Sequence, residues 1–145
     1  GRSLPAWADQ IDRWRRAQEC SADEVAERVR SCAPSAVRVT VEGAPACSFS
    51  VLARHQQRDA DVMRRWLGDV RGTLPLSWAA ACHGRDVFFL PRWLGKEHAV
   101  QWLLQNELPA DLTTLGIGDQ PLDAPFLRLC DFAMTPRGSA LEAKG

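Results

Sequence analysis

Hydrophobic and polar positions follow two different codes along this chain, and the change of code divides it. Trp7, Ile11, Trp14 and Gln18 recur at helical spacing with Arg13, Arg15 and Arg16 on other faces, which predicts an amphipathic first helix. Ser21 stands three residues before Glu24, the spacing of a capping box, and Ala22, Val25, Ala26 and Val29 carry an apolar stripe to about Cys32. Pro34 ends it. Val37, Val39 and Val41 then alternate with Arg38, Thr40 and Glu42, the pattern of a strand with one wet face. Gly43-Ala44-Pro45 predicts a turn, and Cys47, Phe49 and Val51 a second strand paired with the first as a hairpin. Over 59–70 the helical spacing returns in Val62, Trp66 and Val70, stopped by Gly72 and Pro75. Residues 76–82 and 86–90 predict another hairpin about His83-Gly84-Arg85. This αββαββ order predicts a four-stranded antiparallel sheet with both helices on one face, an α+β sandwich.

Beyond residue 91 the code becomes that of a buried α/β fold. A helix is expected over 97–107 with Val100, Leu103 and Leu104 inward. The unbroken run at 112–117 predicts a strand buried on both faces, as in a parallel sheet. Pro121 opens a short helix, a further strand follows at 132–135, and 140–145 reads as a frayed tail. Open α/β sheets place ligands beyond the carboxyl ends of their strands, and Asp119 arrives at such an end. Asp119 and Asp123 sit four apart across the turn, so both carboxylates can face one point beyond the strand. That suits Mg²⁺, which takes one or two carboxylates and keeps water and phosphate oxygens. The plainer alternative makes Asp119 a turn residue or cap and Asp123 a complement to the helix dipole.

Composition narrows the function classes. With 18 acidic and 18 basic residues the formal charge is zero, so no overall field recruits nucleic acid. Arginine carries nearly all the positive charge; Lys96 stands alone in the body of the chain, with Lys144 near its end. A lysine can neutralise a phosphoryl group as a point charge. No apolar run approaches membrane-spanning length, and five scattered cysteines without a CxxC pair suggest reduced thiols and a cytoplasmic setting. The first residue is Gly1 and not Met, which suggests a processed product or a fragment.

The stretch 112–134, an apolar strand running into Gly118-Asp119, then three residues, then Asp123, resembles the fourth motif of the haloacid dehalogenase-like (HAD) phosphatases. Leu94-Gly95-Lys96 resembles the third motif, whose lysine opens a helix. The αββαββ unit before it resembles the cap of the sugar-phosphatase branch. The resemblance implies an α/β fold: a cap at 1–91, and at 92–145 the C-terminal part of a Rossmann-like HAD core. It implies that Lys96 neutralises the phosphate, that Asp119 and Asp123 hold Mg²⁺, and that the substrate is a small phosphorylated sugar or glycerate conjugate. Cap strand ends and turns would supply substrate contacts, with Arg54, His55, His83 and Arg85 as candidates. One departure is Leu122, where the family often has Asn.

The family's nucleophile, an Asp-x-Asp at the end of an apolar strand, has no counterpart here. The pair Asp59-Ala60-Asp61 opens a charged helix instead. The motifs therefore imply that the leading half of the core comes from outside this sequence or from a second polypeptide, with Trp93, Leu94 and Phe126 as candidate contact residues. A non-catalytic interaction module is the competing expectation. Neither reading involves nucleic acid or a membrane.

Overall fold

The computed structural model describes residues 5–44 and 47–142, and the chain divides into two units, Gly1–Leu94 and Gly95–Gly145. The first unit opens with α1 (Pro5–Arg16), followed by α2 (Ala22–Cys32), β1 (Val37–Ala44), β2 (Cys47–His55), α3 (Ala60–Arg71), β3 (Trp78–His83) and β4 (Asp86–Pro91). A 3₁₀ turn at Arg92–Leu94 closes it.

The four strands form one antiparallel sheet in the order β1-β2-β4-β3. Register aligns Val41 with Val51, Val51 with Phe89 and Phe89 with Ala80, so one face presents a continuous apolar row. Val25, Ala26 and Val29 of α2 and Met63, Trp66, Leu67 and Val70 of α3 bury against that face. Both helices therefore lie on one side, as the periodicity predicted.

Two tryptophans tie the layers together. A buried indole N–H needs an acceptor. Trp78 Nε1 donates to the Cys20 carbonyl at 3.2 Å, just ahead of α2, and Trp66 Nε1 donates to the Cys32 carbonyl at 3.0 Å, at its end. The helix is thus held at both termini by side chains from β3 and α3. Local signals fix its start: Ser21 Oγ accepts from Glu24 N, and the Glu24 carboxylate accepts from Ser21 N at 2.7 Å. Asp59 caps α3 by accepting from the Asp61 and Val62 amides.

Several boundaries differ from the pattern. The turn expected at 43–45 begins later, because Gly43, at φ 137, carries a bulge that lets β1 run on to Ala44; residues 45 and 46 lie outside the described residues. Strand β3 starts at Trp78, and Leu76 is 89% exposed in the approach to it. The β3–β4 connection is a two-residue turn with Gly84 at φ 56 in its first central position, where hairpins of the II′ kind place glycine. Trp93 packs within this unit: it stacks on Trp14 at 6.2 Å, meets Phe49 edge-on and donates to Gln18 Oε1 at 3.1 Å. The expectation that Trp93 is kept for a partner chain gives way to that packing.

The second unit holds α4 (Lys96–Asn106), β5 (Leu115–Ile117), a 3₁₀ turn at Pro121–Asp123, α5 (Ala124–Leu127) and β6 (Phe132–Met134). Strands β5 and β6 pair in parallel, Leu115 with Phe132 and Ile117 with Met134. Asp131 fastens their starts together, its carboxylate accepting from the Thr114 amide and hydroxyl at 2.8 Å each. Those two donors hold the Asp131 carboxyl below the usual carboxylate range.

Here the pattern overstated burial. The strand expected over 112–117 is three residues long, and Leu115 and Ile117 are exposed, because only the Gly116 face is covered within the unit. Helix α4 has no fully buried residue, and Leu103, expected inward, is exposed. Nor is the segment from 140 loose throughout: Leu141 N donates to the Asp119 carbonyl at 3.1 Å, while 143–145 lie outside the described residues. Among the described residues no helix is long and apolar enough to cross a membrane.

Phe89 is fully buried at the centre of the first unit, whereas Leu76 is almost bare. Phe89→Ala is expected to cost about 3–5 kcal/mol and Leu76→Ser within about 0.5 kcal/mol of nothing, measured by urea unfolding; equal effects would place the core elsewhere.

Candidate active site

The second unit gathers its charged chemistry at the carboxyl end of β5. Gly118 leaves the strand, its amide donating to the Met134 carbonyl at 3.1 Å, and the chain turns through Asp119 and Gln120 into the 3₁₀ turn. Asp123 folds back over that bend. A Cβ on Gly118 would lie 2.5 Å from Asp123 Cβ, so only glycine permits the approach.

Asp123 is 2% exposed, and a buried carboxylate is tolerated only when its oxygens are satisfied. They are. Oδ2 accepts from the Asp119 and Gln120 amides at 3.0 Å each, and Oδ1 accepts from Lys96 Nζ at 2.6 Å. Burial pushes the Asp123 carboxyl up, but the Lys96 ammonium and the two amides outweigh it and leave the group below its ordinary value. It stays ionised. Lys96, on the first turn of α4, has a side chain 67% exposed, with Nζ 5.9 Å from the centre of the Phe126 ring. Phe126, expected at a contact surface, is half-buried here beneath that ammonium.

Asp119 differs from Asp123 in every respect that matters for ligands. Its side chain is exposed, and its Oδ2 accepts only a longer bond from Gln120 Nε2, at 3.2 Å. Lys96 and Asp123 are therefore in direct contact, and Asp119 adjoins them through its backbone amide. The two carboxylates are not equivalent: Asp123 has both oxygens engaged inside the unit, and Asp119 presents its own to solvent. Among the described residues no group of three or more His, Cys, Asp or Glu side chains is placed to hold a metal. Of the two carboxylates, that of Asp119 is the one open to a cation; Mg²⁺, which takes one or two carboxylates and keeps water and phosphate oxygens, would find a single protein donor here.

The other candidates lie in the first unit. Arg54 and Asp86 are cross-strand partners, and the guanidinium meets the carboxylate through Nε–Oδ1 at 2.7 Å and Nη2–Oδ2 at 2.8 Å. That fork holds the Asp86 carboxyl below its usual range. His83 pairs with Asp86 across the hairpin and is exposed, and Arg85 Nε stands 4.0 Å from Asp86 Oδ1. His55 is buried, its Nδ1 accepting from the Asp59 amide at 3.1 Å while its own amide donates to the Arg85 carbonyl at 3.0 Å. The structure thus gives His55 a part in joining β2 to α3, whereas Arg54, His83 and Arg85 form one polar cluster about Asp86. Sequence pattern missed the Thr114–Asp131 clamp, since a contact across seventeen positions leaves no local spacing to detect.

No family model matches the sequence, and no curated protein matches it. Among solved structures, the chain is similar to the sucrose-phosphatase from Synechocystis sp. PCC6803 in complex with sucrose and phosphate. The identity is 18% and the TM-score 0.62, over 97% of this chain and 55% of that one. The likeness is one of fold: the chain shares the backbone arrangement of part of that structure. The trehalose-6-phosphate phosphatase of Aspergillus fumigatus (14% identity, TM-score 0.47, 78% and 46% covered) and the IMP-nucleotidase of Plasmodium falciparum (14%, 0.48, 92% and 39%) also align, too loosely to add to the argument. The chain spans about half the length of the sucrose-phosphatase it matches. The mixed α/β organisation expected from the pattern holds, with the antiparallel sheet in the first unit and the parallel pair in the second.

Two outcomes test this geometry. Asp123→Asn should cost about 1–3 kcal/mol at pH 7, the worth of charged hydrogen bonds. Because the folded carboxyl titrates below its unfolded value of about 3.9, its contribution is present above that pH and lost as pH falls through the folded value. The gap between wild type and variant should therefore narrow in urea unfolding curves below about pH 4; a gap independent of pH would contradict the ionised pair. Gly118→Ala should cost about 1–3 kcal/mol, and a neutral result would mean that the bend relaxes freely.

Proposed function

We infer that the chain is part of a Mg²⁺-dependent phosphomonoester phosphatase acting on a small phosphorylated sugar or glycerate conjugate in the cytoplasm. The observation that carries this reading is the Lys96–Asp123 contact of 2.6 Å beneath an exposed Asp119 at the end of a parallel strand. The fold supports the reaction class, and the sucrose and phosphate in the Synechocystis structure support the substrate class.

Each residue has a distinct part. Asp123 is a positioning residue: it pins the Lys96 ammonium and, through the Asp119 and Gln120 amides, the bend that presents Asp119. Lys96, still largely exposed, neutralises a phosphoryl oxygen. Asp119 supplies the carboxylate for Mg²⁺, which when bound offsets charge on the phosphate. The first unit takes a cap's role in choosing the leaving group, with Arg54, His83 and Arg85 as the polar residues available for it. Asp59-Ala60-Asp61 does not serve as nucleophile, since Asp59 is occupied as the cap of α3 and Asp61 pairs with Arg64. The attacking carboxylate belongs to polypeptide beyond these 145 residues.

A second reading, a binding module without catalysis, draws on the engaged state of both Asp123 oxygens and on the absence of a three-ligand metal cluster among the described residues.

Supplied with a segment bearing the missing strand and its Asp-x-Asp, the chain should hydrolyse p-nitrophenyl phosphate only with Mg²⁺. Lys96→Ala should lower kcat/KM by about 100-fold, and Asp119→Asn should abolish both activity and Mg²⁺ binding by calorimetry. Failure of the isolated chain to bind Mg²⁺ even weakly by calorimetry, with no turnover in the assembled protein, would favour the binding module.

A further inference from the structure

In the first unit the sheet order leaves β1 and β3 as edges. Antiparallel neighbours exchange hydrogen bonds at every second residue, so an edge strand turns its alternate N–H and C=O groups outward. On β1 the phase is set where Gln56 N donates to the Ala36 carbonyl at 2.9 Å. Arg38, Thr40 and Glu42 therefore bond inward to β2, and Val39 and Val41 turn their backbone groups to the outer edge. The two edges differ. On β3, Arg71 Nη2 donates to the outward Ala80 carbonyl at 3.3 Å and Trp78 N donates to the Pro75 carbonyl at 2.9 Å, so the chain's own groups blunt that edge. Among the described residues nothing occupies the outward groups of Val39 and Val41.

The side chains of β1 are incomplete in the same place. Arg38 lies opposite Arg54, whose guanidinium is forked onto Asp86 on its far side. Like charges opposed across a ladder repel, and among the described residues no carboxylate pairs with Arg38. Glu42, exposed on the same face, accepts from the Thr40 hydroxyl at 2.8 Å and forms no ion pair among the described residues. Thr40 stands midway between the two charges, so the strand is its own complement when reversed about that residue. We propose that β1 pairs antiparallel with β1 of a second copy of this chain, about a two-fold axis through Thr40.

In this register Val39 and the partner's Val41 exchange N–H···O=C bonds, and the axis repeats the set. Arg38 meets the partner's Glu42 at a position between hydrogen-bonded pairs, where opposed side chains come closest. On the other face Val39 and Val41, half-buried at the margin of the core, cover one another across the axis. Helix α2 packs over both β1 and β2, so its two-fold mate lies about 10 Å away, two strand spacings and a distance at which helices pack. A foreign strand would need an acid and a base at this same spacing, whereas the chain carries both. Moving the axis by one residue either way sets Arg38 against the partner's Thr40 or the partner's Ala44, so charge fixes the register. The inference concerns the first unit alone and does not depend on the phosphatase reading.

The test is sedimentation equilibrium of the full 145-residue chain from about 1 μM to about 1 mM, with hydrogen exchange at both ends of the range. Wild type should dimerise as concentration rises, slowing the Val39 and Val41 amides, while the Thr40 amide, bonded to β2, stays protected throughout. Arg38→Glu and Glu42→Arg each set like charges against one another at both charged positions of the pair, and each should weaken the dimer by about 10-fold or more. Mixed in equal amounts, the two variants restore opposite charges at both positions and should form a heterodimer within about 3-fold of the wild-type affinity. Both residues are exposed, so the circular dichroism of each variant should match wild type. A monomer at every concentration would overturn the proposal. So would a dimer indifferent to both variants, which would put the contact elsewhere on the chain, or a mixture that associates no more tightly than either variant alone.

Discussion

A carboxylate removed from water must find partners for both oxygens, and the second unit is arranged around that requirement at Asp123. Two amides of the bend and one ammonium group satisfy it. To receive those amides the chain must turn tightly after β5, and to let the carboxylate approach, residue 118 must lack a side chain. To receive the ammonium, α4 must begin where it does. The position of Lys96 and the direction of Asp119 are consequences of satisfying a single buried charge.

That arrangement separates two acidic residues that look alike in sequence. Asp123 is spent on structure, ionised and inaccessible, while Asp119 keeps an exposed carboxylate. The spacing of four suggested two equal metal ligands. Geometry assigns them unequal work, because the residue that folds back over the bend takes its amides and leaves the other facing water.

The two units differ in how they meet the cost of folding. The first buries a full apolar layer between one sheet face and two helices, with both core indoles hydrogen-bonded. Its α2 and α3 carry their own start signals, and their stripes face the sheet, although on α3 the core takes Met63 and Leu67 with Trp66 and Val70 and leaves the expected Val62 half-buried. The second has a two-stranded sheet on which α5 and the turn after it cover Gly116 while every residue of β6 is exposed, held at its start by the Thr114–Asp131 clamp. Parallel strands bring no tight turn of their own, so such a unit depends on side-chain clamps and on what covers it.

The sequence by itself determined the αββαββ order, the capping box at Ser21, the glycine of the β3–β4 turn, and the Gly118-Asp119 to Asp123 spacing, because each is a local pattern of period or offset. Only the tertiary structure decided that His55 is buried rather than presented, that Arg54 is forked onto Asp86, that Trp93 packs on Trp14, and that 115–117 is a short strand with one bare face. An apolar run states that side chains seek cover without saying what supplies it. Burial depends on partners distant in sequence or lying outside it, and periodicity cannot register them.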